Sequence, residues 1–295
     1  MVSFPNAKIN LGLHVTSRRP DGYHNIETCF YPVGACDVLE ILPASKSASP
    51  DLLTEVGLSE PKKAQQNSEC GVTIELSGIK TGGKAENNLC LKAYYKYYEG
   101  CNTPALNIYL HKTLPVGAGL GGGSSDAAFT LRMLNNMAAK PVSEERLFEM
   151  AASIGADCAF FLANKPVYAS GKGEILTDTP VNLSGKYILL LHPGFPVRTA
   201  DAYAGIQPKN PLTNLKEVLA MPLPEWRKYL VNDFEDSVFS RFPVLAGIKK
   251  GMYNAGAVYA SMSGSGSAVY GIFDSLPVTL PFVKESYWQW SGILS

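Results

Sequence analysis

The sequence predicts an α+β fold, and three observations carry that prediction. Apolar and polar residues alternate in short runs, the pattern of half-buried strands. The runs are Ile9, Leu11, Leu13 and Val15; then Val72, Ile74 and Leu76; then Leu106, Ile108 and Leu110. Helical spacing recurs between them, as at Ala127, Leu131, Leu134 and Ala138. The glycine-rich stretch between the third run and that helix is followed by a second helix. A dinucleotide-binding α/β unit would need a second parallel strand there.

At 295 residues, 46% of them hydrophobic, the chain suits one large or two ordinary domains with a real core. Its formal net charge is zero, so no basic surplus points to nucleic acid. No apolar run approaches a membrane span, and the first eight residues lack the charged and apolar regions of a signal peptide. The six cysteines (Cys29, Cys36, Cys70, Cys90, Cys101 and Cys158) form no C-x-x-C pair and are expected as reduced thiols of a cytoplasmic protein. His14, His24, His111 and His192 are too scattered for a zinc helix.

Taken in order, the first strand sets Lys8 and Asn10 on the face opposite its apolar residues, where a solvated face is the ordinary outcome. A Pro20-Asp21-Gly22 turn delivers Tyr23 and His24, either a hairpin tip or the lip of a binding site. Strand character resumes over 30–42. Residues 43–69 are rich in Ser, Lys, Pro and Gln and read as a surface insertion. Asn88 caps a helix that ends near residue 100. Ser143, with Glu144 and Glu145 behind it, starts another that stops at Gly155. Asp157 then precedes the apolar run 158–162; taken alone, it reads as the N-cap of a short helix. A hairpin over 165–176, a linker over 180–186 and a buried strand over 187–191 follow. Residues 232–235 are expected in a loop and 244–253 in a helix. Two strands over 258–262 and 268–273 flank the glycine turn 263–267.

The chemistry concentrates in Pro115-Val116-Gly117-Ala118-Gly119-Leu120-Gly121-Gly122-Gly123-Ser124-Ser125-Asp126. Its glycines free the backbone to turn N–H groups towards one point, and Ser124 or Ser125 can cap the helix that follows. Strand, glycine loop and helix N-terminus make an anion site suited to a phosphate chain. Gly117, Gly119 and Gly122 also spell G-x-G-x-x-G, but the acidic residue and second strand of that fingerprint are missing. No Lys follows the last glycine, so the Walker pattern fails too.

Five motifs in order resemble the GHMP small-molecule kinases, the family of galactokinase and of the homoserine, mevalonate and phosphomevalonate kinases. They are Asn6-Ala7-Lys8-Ile9-Asn10-Leu11, Arg19-Pro20-Asp21-Gly22-Tyr23-His24, the glycine loop, Gly155-Ala156-Asp157 and Met262-Ser263-Gly264-Ser265-Gly266-Ser267. The glycine loop and the last turn are general to the superfamily. The first two motifs are similar to one branch, whose acceptor is 4-diphosphocytidyl-2-C-methyl-D-erythritol. The resemblance implies a two-domain α+β fold: a ribosomal protein S5 domain 2-like N-terminal domain (1–183), a ferredoxin-like C-terminal domain (184–295), and the site in the cleft between them. It implies ATP and Mg²⁺ as cofactors, with no nucleic acid or membrane partner.

By position, the resemblance makes Lys8 and Asp157 the catalytic pair and puts Asn10, Tyr23, His24 and Tyr203 at the acceptor. Asn88, Lys112, Pro115, Val116, Gly117, Gly119, Gly121, Gly122, Gly123, Ser124, Ser125 and Asp126 fall to the nucleotide, with Ser124 or Ser125 reaching Mg²⁺. Phosphoryl transfer needs a phosphate cradle, positive charge on the transition state and an acceptor for the hydroxyl proton. Without a Walker Lys, Lys8 is expected to supply the charge and Asp157 to take the proton. Tyr23 and Tyr203 are expected to sandwich the cytosine. Asn6 stands where the branch has Pro, and Cys158-Ala159 where it has Val-Pro; neither removes a reacting group. Another GHMP kinase, or a nucleotide sensor on the same fold, are the alternatives.

Overall fold

The computed structural model describes residues 1–44, 71–82, 85–99, 104–211, 213–277 and 279–295. The expected insertion over 43–69 therefore lies, from residue 45 on, outside the described residues, as do Cys70, Cys101 and the expected helix end at 100. In chain order the N-terminal strands are β1 (Val2–Ser3), β2 (Asn6–Arg18), β3 (His24–Cys36), β4 (Val38–Pro43) and β5 (Val72–Gly78). Next come α1 (Leu89–Tyr97), β6 (Leu106–Lys112), α2 (Gly122–Met137), α3 (Glu144–Ile154), α4 (Cys158–Ala163), β7 (Val167–Ser170) and β8 (Ile175–Asp178). The C-terminal part holds β9 (Tyr187–His192), α5 (Thr199–Ala204), α6 (Leu215–Ala220), α7 (Trp226–Tyr229), α8 (Phe234–Arg241), α9 (Pro243–Asn254), β10 (Tyr259–Met262), β11 (Val269–Phe273) and β12 (Trp288–Ile293).

The strands form three four-stranded sheets, ordered β1-β4-β6-β5, β2-β3-β7-β8 and β10-β11-β9-β12. Only β5 and β6 pair in parallel among the described strands. The first two sheets lie within 1–183 and the third within 184–295, but the core does not divide there. Alternate residues of β2 and β3 serve opposite layers, as the two-residue period of a strand dictates. Ala7, Ile9, Leu11, Tyr31 and Val33 pack against Ile188, Leu190, Tyr270 and Ile272 of the third sheet. Phe30, on the other face, joins the core that α1 to α4 make with β4 and β6. The far face of the third sheet is covered by α8 and α9 through Val238, Leu245, Ile248 and Met252. The β2–β3 hairpin is thus buried on both sides, and each large aliphatic side chain it buries contributes about 1.5–3 kcal/mol.

That layering corrects the solvated-face expectation for Lys8 and Asn10, which are 4% and 2% exposed. Two smaller corrections concern helix starts. The first residue of α2 is Gly122, and its N-cap is Gly121 in the left-handed region with no side-chain cap bond. Ser124 and Ser125 therefore sit in the first turn and cap nothing. The 232–235 loop is a loop only at its start, because Phe234 and Glu235 open α8. There Asn232 Oδ1 accepts from the Phe234 N–H two residues on, at 3.0 Å, while its amide donates to the Met262 and Gly264 carbonyls at 2.9 Å. The terminal strand β12 was not read from the sequence, although Trp288 and Trp290 alternate with Gln289 and Ser291 along it.

Candidate active site

The glycine loop separates two cavities. On one side a cavity of about 410 Å³ runs past Asn87, Asn88, Lys112, residues 115–124 and Asp126. On the other a cavity of about 250 Å³ holds Lys8, Asn10, Asp157, Lys172 and Tyr203. Gly117, Gly119 and Gly121 line both. All three have positive φ, at 68°, 77° and 73°. At Gly119 the close approach is decisive: a Cβ there would sit 1.9 Å from the Ser263 carbonyl oxygen. The loop is pinned to the C-terminal glycine turn, with the Ser263 hydroxyl donating to the Gly119 carbonyl at 2.9 Å and the Ala268 N–H to Ala118 at 3.0 Å.

In the smaller cavity, Lys8 Nζ donates to Asn10 Oδ1 at 2.6 Å and lies 3.8 Å from Asp157 Oδ2. Its backbone N–H donates to the Leu120 carbonyl of the glycine loop, and its ammonium stands 5.1 Å from the Phe30 ring centroid, within cation–π reach. Burial pushes the Lys8 ammonium below the ordinary lysine value, against the opposing pull of Asp157. Asp157 does stand at the N-cap position of α4, but its side chain makes no capping bond. It is about one-third exposed into the cavity, facing Lys8.

The aromatic arrangement differs from the expected sandwich. Tyr203 lines the cavity, and the ring stacked on it is His24, at 4.6 Å between centroids and 17° between planes. That spacing leaves no room for a third ring between them. Phe234 meets Tyr203 edge-on at 4.8 Å. Tyr23 and His24 lie outside the cavity lining; Tyr23 is 62% exposed, with Lys172 Nζ 5.0 Å from its ring centroid. Sequence reasoning missed Lys172. The Gly171-Lys172-Gly173 turn was legible as a hairpin tip, but nothing in the pattern says that the tip faces Lys8.

In the larger cavity, Lys112 Nζ is held by Asp37 and by Asp126 Oδ2, the latter at 2.7 Å. Burial lowers its affinity for a proton, but the two carboxylates outweigh burial and hold it above the ordinary value. Asp37 also accepts from the Thr113 and Leu114 N–H groups at 2.7 and 2.9 Å. Burial, together with the neighbouring Asp37 carboxylate, pushes Asp126 up in spite of Lys112. Asn88 lines this cavity while its side chain caps α1, accepting from the Cys90 N–H at 2.9 Å. Ser124 lines it as well, whereas Ser125 is fully buried outside the lining. Ser125 Oγ and Asp126 Oδ1 are buried at the start of α2 without a hydrogen-bond partner. Among the described residues no three His, Cys, Asp or Glu cluster as a metal cage.

The chain matches the family described as GHMP kinases N terminal domain over residues 88–165 and GHMP kinases C terminal over 214–278. It is 46% identical over 280 residues to the 4-diphosphocytidyl-2-C-methyl-D-erythritol kinase of Cytophaga hutchinsonii, covering 95% of this chain and 94% of that one. The same enzyme of Parabacteroides distasonis is 43% identical over the full length of both. The chain belongs to the 4-diphosphocytidyl-2-C-methyl-D-erythritol kinase family of GHMP kinases. Among solved structures, a 4-(cytidine 5'-diphospho)-2C-methyl-D-erythritol kinase superposes with a TM-score of 0.74 at 29% identity, covering 99% of this chain and 98% of that chain. A mevalonate kinase reaches a TM-score of 0.63 at 13% identity over 92% of this chain and 91% of that one, a likeness of fold alone. As a member of the 4-diphosphocytidyl-2-C-methyl-D-erythritol kinase family, the chain is an ATP-dependent small-molecule kinase with the α+β fold of the GHMP kinases. No described helix is long and apolar enough to cross a membrane.

Proposed function

We propose that this kinase transfers the γ-phosphoryl group of ATP to the 2-hydroxyl of 4-diphosphocytidyl-2-C-methyl-D-erythritol, in the cytoplasm, within the non-mevalonate route to isoprenoid precursors. One observation carries the assignment of roles: the glycine loop is a wall shared by two cavities, with Lys8 and Asp157 together on one side. The nucleotide belongs in the larger cavity, its phosphates against the loop and the N-terminus of the 16-residue helix α2. The acceptor belongs in the smaller one. Residues 1–183 then carry the nucleotide and the reacting pair, and 184–295 close the acceptor side.

Asp157 takes the proton of the attacking hydroxyl, and Lys8 meets the charge that develops on the transferring group. The two stand close enough to serve one reacting centre, and the Leu120 carbonyl fixes Lys8 to the loop that holds the phosphates. Lys112 is committed to two carboxylates, so its charge is already matched, and Lys8 is the lysine left to face the transferring group. The orphaned Asp126 Oδ1, with Ser124 beside it in the cavity lining, fits a Mg²⁺–phosphate group at the start of α2, whereas the orphaned Ser125 Oγ lies outside that lining. When bound, Mg²⁺ neutralises phosphate charge, and it needs only one or two protein ligands beside the phosphates. Tyr203 offers the cytosine a stacking face, with His24, Tyr23 and Lys172 at the rim.

The test is coupled ADP release from ATP with a panel of hydroxylated acceptors. Release that depends on the cytidyl compound is expected. Release with mevalonate or homoserine instead would move the chain elsewhere among the GHMP kinases. ATP binding with no release from any acceptor would make it a sensor.

A further inference from the structure

We infer that Thr28 is the positioning residue for Lys8: its hydroxyl fixes which end of the Asn10 amide faces the ammonium. The inference rests on the reading of Lys8 as the group that meets the transferring phosphoryl.

The argument is a count of protons. Thr28 is fully buried in β3, on the same face as Phe30. Its hydroxyl has one proton to give, and gives it to the Gly12 carbonyl at 2.5 Å. Thr28 Oγ1 can then only accept, and it accepts from Asn10 Nδ2 at 3.0 Å. The two ends of a carboxamide have nearly the same shape, and its orientation is set by its partners. With Nδ2 committed to Thr28, Oδ1 faces the other way, where Lys8 Nζ donates to it at 2.6 Å. The reversed amide would aim its N–H groups at the Lys8 ammonium and its oxygen at Thr28 Oγ1, whose one proton is already given to Gly12. The chain of three bonds therefore has one solution, and it ends 3.8 Å from Asp157.

The backbone is shaped to start that chain. Gly12 is the extra residue of a bulge: Leu11 pairs with Cys29 and Leu13 with Thr28, leaving Gly12 unpaired. Its φ of 66° lies in the left-handed region, so the position favours glycine. A residue outside the ladder keeps its carbonyl for a side chain, and here that side chain is Thr28. A valine would suit the strand equally well. A buried hydroxyl instead needs a partner to offset its desolvation, and the partners it has lead to Lys8.

The full-length chain carrying Thr28→Val, Thr28→Ser, Asn10→Ala or Asn10→Ala with Thr28→Val would be assayed with ATP and the cytidyl acceptor, after thermal melts confirm folding. Thr28→Val should lower kcat by about tenfold, the upper range for one hydrogen bond, with KM for ATP within about twofold. Thr28→Ser should restore kcat to within about threefold of the parent, because the hydroxyl is what matters. Adding Thr28→Val to Asn10→Ala should cost nothing more, since the amide it orients is gone. Equal losses in Thr28→Val and Thr28→Ser, an ATP KM that rises with the fall in kcat, or an additive double variant would each overturn the inference. Should Thr28→Val not fold, Thr28→Ala against Thr28→Ser makes the same comparison. Undiminished turnover by Lys8→Ala would instead overturn the reading of Lys8 itself, so the two failures are distinguishable.

Discussion

Two buried lysines stand on opposite sides of one glycine loop, and their surroundings are opposites. Lys112, 3% exposed, is locked between Asp37 and Asp126 and held above its ordinary proton affinity. Lys8, 4% exposed, has a neutral amide oxygen at 2.6 Å and a single carboxylate at 3.8 Å, and burial holds it below. A buried charge that is fully matched builds structure. A buried charge that is under-matched seeks a further anion, and a phosphoryl group arriving along the loop supplies one. On the proposed reading, Lys112 is the lysine that organises the nucleotide cavity and Lys8 the one kept for the reaction.

The largest effect should come from breaking the matched set. Lys112→Met leaves two carboxylates buried without a cation, and loss of one partner of a buried pair costs about 3–5 kcal/mol. Urea unfolding should show that loss, and a change within about 0.5 kcal/mol would dissolve the contrast between the two lysines.

Next comes catalysis. Lys8→Ala and Asp157→Asn should each lower kcat by about 10²-fold, the lower end of general acid–base contributions. Single-turnover phosphorylation with both ligands saturating measures this directly. A near-parental rate for Asp157→Asn would return that residue to a helix-start position without chemistry.

A smaller effect lies at the aromatic rim. Tyr203→Ala removes a stacking face worth about 1–3 kcal/mol per base, and so should raise KM for the cytidyl acceptor while sparing KM for ATP. Parallel titrations of the two substrates decide it. A rise confined to ATP would exchange the cavities.

The smallest effect concerns stability against pH. Lys8 has a folded-state proton affinity below the lysine value of 10.5, so the folded chain loses its proton before the unfolded chain does. The cost of burying the charge is full below the lowered value and disappears as pH rises to 10.5. Lys8→Met should therefore melt at or above the parent at neutral pH, by about 1–2 °C, with the gain shrinking in alkali. Lys112→Met should melt lower, and a lower melt for Lys8→Met would show that Lys8 too is structural.

The loop itself joins the two halves of the contrast. A Cβ at Gly121 would stand 2.8 Å from the Phe161 ring and 3.2 Å from Lys8 Cγ. Gly121 thus lines the larger cavity on one side and leaves room for Lys8 on the other, so under the proposed roles it serves both substrates. A valine there would disturb turnover as well as ATP binding, so the loop cannot be altered for one ligand alone.

By itself, the sequence determined the local architecture and the chemical vocabulary. Strand alternation placed β2, β5 and β6, the apolar run 187–191 placed β9, and the Asn88 and Ser143 caps placed α1 and α3, because these signals act within a few residues. The glycine loop reads as a phosphate site for the same reason: free N–H groups at a helix start are a local property. Only the tertiary structure decided which polar residues are buried and what they face. Lys8 and Asn10 read as a solvated face until the third sheet and the α1–α4 layer closed on both sides of β2. Taken alone, Asp157 reads as a cap, and only the family resemblance pairs it with Lys8; the packing is what turns its side chain to Lys8 rather than to its own helix. Tyr203 met His24 instead of Tyr23, and Lys172 arrived at the cavity of Lys8 on a hairpin tip whose sequence shows only a turn. In each case the partner is distant along the chain, and no short-range pattern records a meeting that depends on how whole layers pack.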